Sequence, residues 1–173
     1  MKTGHFVLAA GFVCAVFIAA LNLAVAASIT AQDFVHKASI ANKFEIDSSK
    51  LALEKSVNAG VKAFAQSMVD DHMKAGANLK AVLASTKSSI EVEDELDKQH
   101  QDLIDKLKAA SSESFDNLYI AMQTDAHKDA VSLFSGYAMS GTDAALKTFA
   151  EDTLPALKTH LEHVQKLKAS NGA

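Results

Sequence analysis

The sequence predicts an all-helical protein, a four-helix bundle, on three observations. Its composition forms helix readily: Ala, Leu, Lys and Glu abound, while 173 residues contain one Pro, seven Gly and no Trp. Apolar side chains recur with the 3.6-residue period of an α-helix through almost the whole chain after Thr30. Breaks in that pattern divide the chain into four long segments and one short one. Apolar residues make up 49% of the chain, enough for a substantial core, and the length suits one domain rather than two.

Residues 1–27 stand apart. Lys2 gives a positive start, the run from Phe6 to Leu23 is almost wholly apolar, and Ala24-Val25-Ala26-Ala27 places small residues at the spacing a signal peptidase requires. This reads as a secretory signal peptide, cut after Ala26 or Ala27, that leaves residues 28–173 as a single domain in the periplasm or outside the cell. The competing reading, an uncleaved anchor, has an apolar run near the lower length limit for spanning a bilayer. The sole Cys, Cys14, lies in this segment behind Gly11-Phe12-Val13, a poor lipobox. The mature chain therefore has no disulfide and no thiolate metal ligand. Loss of Lys2 takes the formal net charge from −4 to −5. A mildly acidic surface argues against nucleic acid and against an anionic membrane face as partners. No transmembrane segment remains after cleavage, and a homo-oligomer is compatible with everything above.

The first helix is expected from Thr30 to about Val57. Thr30-Ala31-Gln32-Asp33 resembles a capping box with Asp in place of Glu. Phe34, Ala38, Ala41 and Ala52 share one face, with Ile40, Phe44 and Leu51 beside them. Asn58-Ala59-Gly60 breaks the pattern, and Asn58 is a good N-cap for the second helix. That helix carries the clearest stripe: Val61, Phe64, Ala65, Met68, His72, Ala75, Leu79 and Val82. It fades at Ser85-Thr86-Lys87-Ser88-Ser89. The acidic stretch Glu91 to Asp97 is expected to open a short extra helix, its acids at the start and its lysines at the end, as the helix dipole favours. Ser111-Ser112 separates this from the third long helix, about residues 112–139, with Tyr119, Ile120, Gln123, His127, Val131, Phe134 and Ala138 inward. Gly141-Thr142-Asp143 is a turn, and the last helix runs to about Ala169 before Asn171-Gly172. Pro155 lies inside it and is expected to kink it. The two short turns make antiparallel pairs. The long central connection leaves room for a crossover, as ferritin-like bundles use. Val61-Lys62-Ala63-Phe64-Ala65-Gln66 echoes Leu146-Lys147-Thr148-Phe149-Ala150-Glu151, which suggests two related hairpins, although amphipathic helices also converge on such patterns by chance.

Histidine carries the candidate chemistry. Six of the seven His lie in the mature chain. His36 and His163 fall on outer faces, whereas His72, His100, His127 and His160 fall where the pattern calls for an apolar residue. His72 and His127 lie halfway along their helices, His160 slightly past the middle of its own, and Glu45 near the middle of the first helix. Helix midpoints in a bundle share one layer, since three residues of offset shift a side chain only ~4.5 Å. Glu45, His72, His127 and His160 can therefore meet at the centre, with His100, on the connecting helix, as a secondary candidate. Neutral imidazole with carboxylate binds zinc, copper, manganese or iron. The bland reading is a structural polar layer in which each His bonds a buried polar group. A di-iron oxidase site is not expected, because no long helix has Glu-x-x-His; the nearest pattern is Asp97-Lys98-Gln99-His100 on the short helix. Asp70, Asp71 and Asp125 point off the inner faces and read as solvated carboxylates. Met68, Met73, Met122 and Met139 read as apolar filler rather than copper ligands. No phosphate loop, nucleophile elbow or Cys–His pair is present, so enzymatic activity is not the favoured reading.

The same residues carry a family resemblance. Phe34-Val35 and Glu45, Val61-Lys62-x-Phe64-Ala65-Gln66-x-Met68-Val69-x-Asp71-His72, Leu96-Asp97-x-x-His100 and Phe115-Asp116-x-x-Tyr119 are followed by His127-x-x-Ala130-Val131-x-Leu133-Phe134. Leu146-Lys147-x-Phe149-Ala150-x-x-Thr153-Leu154-Pro155-x-Leu157-x-x-His160-Leu161 completes the set. Over residues 31–168 this resembles the bacterial family called domain of unknown function 4142, whose members are often labelled outer membrane proteins. The resemblance implies a ferritin-like helical fold and an exported protein, and supplies no activity. The outer-membrane label has no support in the residues, which show neither alternating strands nor a long apolar span in the mature part. Family members often have Glu where this chain has Ser135, so a ligand or ion pair there would be missing. Three functions remain in competition: a bundle that stores, buffers or senses a divalent ion, a non-catalytic envelope, stress or interaction protein whose His and Glu layer is structural, and, least favoured, an enzyme using the His and Glu cluster for acid–base work.

Overall fold

The computed structural model describes residues 29–171, so the expected signal peptide lies outside the described residues. These residues form five helices and no strand: α1 (Ala31–Lys55), α2 (Ala59–Ser85), α3 (Lys98–Ala109), α4 (Ser112–Ser140) and α5 (Ala144–Asn171). The starts follow from local chemistry. Thr30 caps α1 by accepting from the Asp33 N–H, and its hydroxyl donates to the Asp33 carboxylate. The Asn58 side chain accepts from the Gly60 and Val61 N–H groups at the head of α2. Asp143 accepts from the Leu146 N–H ahead of α5. Each contact satisfies amide hydrogens that have no partner inside the helix.

The four long helices form a closed ring in the order α1, α2, α5, α4, each packed on two neighbours. Cross-contacts give their directions. Phe34, at the start of α1, stacks on Tyr137 near the end of α4, while Ser49 near the end of α1 bonds Tyr119 near the start of α4. Those two helices are antiparallel. Short turns make α1 and α2, and likewise α4 and α5, antiparallel, so α2 and α4 run in the same direction. The chain between them must return the length of the molecule. It does so along α1: Ile90 and Val92 pack at the Phe34 end, the Glu93 N–H bonds Ser39 Oγ, and α3 continues beside Phe44 until Lys55 Nζ holds the Lys108 and Ala110 carbonyls.

The structure corrects one element. Glu91 to Asp97 do not open the short helix; α3 starts at Lys98, with Asp97 as its cap accepting from the His100 N–H. Four acids in five positions, Glu91 and Glu93 to Glu95, repel one another in a helical turn. Ile90 and Val92 instead alternate inward as an extended chain does, and Glu93 pairs outward with His36. Helix α5 runs on through Pro155, whose ring faces solvent.

Burial divides the interior into two apolar clusters. One gathers Phe44, Phe64, Met68, Leu107, Phe115 and Tyr119; the other gathers Phe34, Leu79, Phe134, Tyr137, Leu146 and Phe149. Between them lie the buried polar groups Glu45, Ser48, His72, Gln123, His127 and His160. No helix among the described residues is long and apolar enough to cross a membrane.

Candidate metal centre

Three helices supply the middle layer with one histidine each. His72 comes from α2, His127 from α4 and His160 from α5, and they are 6%, 0% and 7% exposed. Their ring centroids form a nearly equilateral triangle with sides of 5.7 Å (His72–His127), 5.6 Å (His72–His160) and 5.5 Å (His127–His160). One nitrogen from each ring lies within 4.8 Å of the other two.

The second nitrogen of each ring is held by an oxygen outside the triangle. His127 Nδ1 donates to the Gln123 carbonyl at 2.9 Å, a bond to the residue one turn earlier on the same helix. His72 Nδ1 donates to Asn42 Oδ1 of α1 at 3.1 Å. His160 Nε2 donates to Asp71 Oδ2 of α2 at 2.9 Å. An oxygen acceptor requires the hydrogen to sit on that nitrogen, so in each neutral ring the other nitrogen carries the lone pair. Those other atoms, His72 Nε2, His127 Nε2 and His160 Nδ1, are all buried with no hydrogen-bond partner. Buried polar atoms rarely stay unpartnered. Three of them, in converging rings that are oriented by outer carboxylate and carbonyl oxygens, match the arrangement by which proteins present imidazole to a metal ion.

Asn42 reaches His72 through a specific gap. A Cβ on Gly76 of α2 would lie 2.9 Å from Asn42 Nδ2, so the glycine leaves room for the amide that fixes the ring. No signal in the sequence marks Asn42. Asp71 is more than the solvated carboxylate its helix face suggests: its side chain is 55% exposed, yet one oxygen anchors His160. Its place beside His72 in the sequence is the available hint.

Electrostatics keep the rings neutral. Burial pushes His127 down to about 4. Burial, with the two neighbouring rings adding to it, holds His72 well below the ordinary histidine range. His160 is lowered by burial against the opposing bond from Asp71. Glu45, 3% exposed, is pushed up to about 8 by burial, and is protonated at neutral pH. Its Oε1 is 3.5 Å from His127 Nδ1, the nitrogen turned away from the triangle, so Glu45 stands behind His127 and the pair is not an ion pair at neutral pH. Its Oε2 has no partner.

The remaining candidates lie elsewhere. His100, on α3, bonds Asp97 and packs edge-on to Phe44. His36 and His163 are exposed, as are Asp70 and Asp125. Met68 and Met122 are core residues, while Met73 and Met139 are exposed. Ser135 bonds only its own helix, at the Ser132 carbonyl.

The sequence profile of the domain of unknown function DUF4142 matches residues 19–167. No curated protein matches the chain. Among solved structures, the crystal structure of a DUF305 protein from Streptomyces coelicolor, named as a secreted protein, superposes with a TM-score of 0.69 at 15% identity. The superposition covers 85% of this chain and 96% of that one. At that identity the likeness is one of fold.

Proposed function

The chain belongs to the DUF4142 family, and from that premise we propose that it is an exported, ferritin-like four-helix bundle that holds one divalent metal ion between His72, His127 and His160. In this reading residues 1–27 are a cleaved signal peptide, residues 28–173 are one domain in the periplasm, and α3 lies in the crossover that ferritin-like topology requires. The observation that carries the proposal is three buried rings that bring one nitrogen each within 4.8 Å of the others, each ring having one nitrogen bonded to an oxygen and one without a partner. In support of this reading over a structural polar layer, none of the three inner nitrogens has a hydrogen-bond partner among the protein's own groups.

Three neutral imidazoles suit zinc or copper first, and iron or manganese less well. An ion held this way keeps an open position, which suits uptake, buffering or sensing of the metal and would also let it bind and polarise a small ligand. The protein's own part is to fix the rings. Asp71 sets the tautomer of His160, Asn42 that of His72, and the Gln123 carbonyl that of His127.

The test is thermal unfolding of the mature protein with zinc, copper, manganese and iron, each against a chelator. A bound ion stabilises the fold by about 2.7 kcal/mol at a hundredfold excess over its dissociation constant. His127→Ala should abolish that gain. If no ion moves the wild-type midpoint, the metal reading fails. Export is tested separately: mass spectrometry of protein from the native host should find an N-terminus at Ala27 or Ser28, and an intact leader would refute cleavage.

A further inference from the structure

A cavity of about 420 Å³ opens between α1 and α2 and runs inward to His72, His127 and Glu45. Its size is that of a small-molecule site. The space exists because the helices turn small residues towards it: Ala75 and Gly76 on α2, Ala126 and Ala130 on α4. Phe134, Phe149 and Leu157 form its apolar floor. Small residues alone would make only a void, but this one ends on polar atoms. His127 Nε2, His72 Nε2 and Glu45 Oε2 are buried and unpartnered, on side chains at least nine-tenths buried that line the cavity.

We propose that the cavity binds a small organic monocarboxylate with an apolar tail, its carboxylate occupying the open position of the ion held by the three histidines. The inference rests on the metal reading above and extends it to a ligand class. Charge argues for the anionic head. The three imidazole rings bring no negative charge, the Glu45 Oε1 atom sits behind His127 at its outer nitrogen, and Asp71, on the outer side of His160, is half-exposed. A divalent ion in so buried a place requires compensation from an anion. Shape argues for the tail. Between the rim and the rings the lining is apolar, with Ala38, Leu79, Ala130, Phe134 and Phe149, so a hydrocarbon chain lying there buries apolar area. At the rim Lys43 and Lys80 are paired with Asp47 and Asp94, Glu93 is paired with His36, and Lys50 adds a positive charge that suits a carboxylate. Discrimination among monocarboxylates of different length therefore resides in the apolar part of the lining.

The experiment is calorimetric titration of the zinc-loaded mature protein with acetate, butyrate, hexanoate and octanoate, with zinc content measured in parallel. Each buried methylene should tighten binding roughly fourfold, so octanoate should bind on the order of a hundredfold more tightly than acetate even if the chain is only partly enclosed. Ala130→Phe, which fills the cavity one turn along α4 from His127, should keep zinc and lose the chain-length dependence. Ala75→Leu serves the same purpose should Ala130→Phe fail to fold. Zinc retained with no carboxylate binding, or with equal binding of acetate and octanoate, overturns this inference and leaves the metal reading standing. Failure to take up any ion overturns both. Chain-length dependence that persists unchanged in a cavity-filled variant places the tail elsewhere and also overturns it.

Discussion

Replacing Glu45 with Gln isolates the charge state of the middle layer. Burial raises this carboxyl from 4.5 to about 8. A raised folded pKa means the folded state binds the proton more tightly than the unfolded chain. Its contribution to stability is complete below pH 4.5 and is lost as pH rises through about 8. Within that window the loss is about 1.4 kcal/mol per pH unit, so from pH 5.5 to 7.5 the carboxyl should cost about 3 kcal/mol. Gln keeps the shape and does not titrate. His127 acts in the opposite direction, since its folded pKa of about 4 is depressed and its contribution is lost as pH falls from 6.5 towards 4. That contribution is common to both proteins and cancels in their difference. The assay is urea unfolding of metal-free wild type and Glu45→Gln at half-unit steps from pH 5 to 8. The stability of the wild type relative to the variant should fall steadily across that range, by about 3 kcal/mol in two pH units. A flat difference would refute the reasoning, because it would mean that Glu45 is ionised in the fold and paired with a charged His127.

Three further substitutions probe the supports of the site and the core. Asp71→Asn should weaken zinc binding about 10–100-fold, as loss of an outer partner to a metal-binding histidine does, with little change in apo stability because Asp71 is half-exposed; calorimetry and chemical unfolding separate the two. Gly76→Ala should displace the Asn42 amide from His72, so that the gain of about 1 kcal/mol expected from helix propensity is not realised and zinc affinity falls. If Gly76→Ala instead stabilises the protein by the full amount with unchanged affinity, Asn42 does not orient the ring. Ser49→Ala should cost about 1–3 kcal/mol by leaving the buried Tyr119 hydroxyl without its 2.8 Å partner, and adding Tyr119→Phe should recover most of that loss.

The helices were legible because apolar period and capping residues act locally. Thr30 and Asn58 cap α1 and α2 as their side chains dictate. Glu91 to Asp97 mislead because an acidic run ahead of lysines satisfies the dipole rule on paper, while Ile90 and Val92 gain more by packing against the cluster around Phe34. The meeting of His72, His127 and His160 was also legible, since each occupies an apolar position at mid-helix and midpoints share a layer. What periodicity could not supply was rotation. Glu45 is in the layer, but facing the outer nitrogen of His127. Asp71 lies 89 residues from His160, and only the packing angle of α2 on α5 brings them together. Asn42 depends in turn on a missing Cβ across the α1–α2 contact. Faces and depths follow from one helix at a time, whereas such partners depend on two.

The most direct test is the coordination shell of the loaded protein. X-ray absorption at the zinc edge of the mature protein carrying one equivalent of ion should show three imidazole scatterers with Zn–N distances of about 2.0–2.1 Å, falling to two in His160→Ala. One imidazole or none, or a shell of six oxygens unchanged in His160→Ala, would place the ion on the surface and contradict the account.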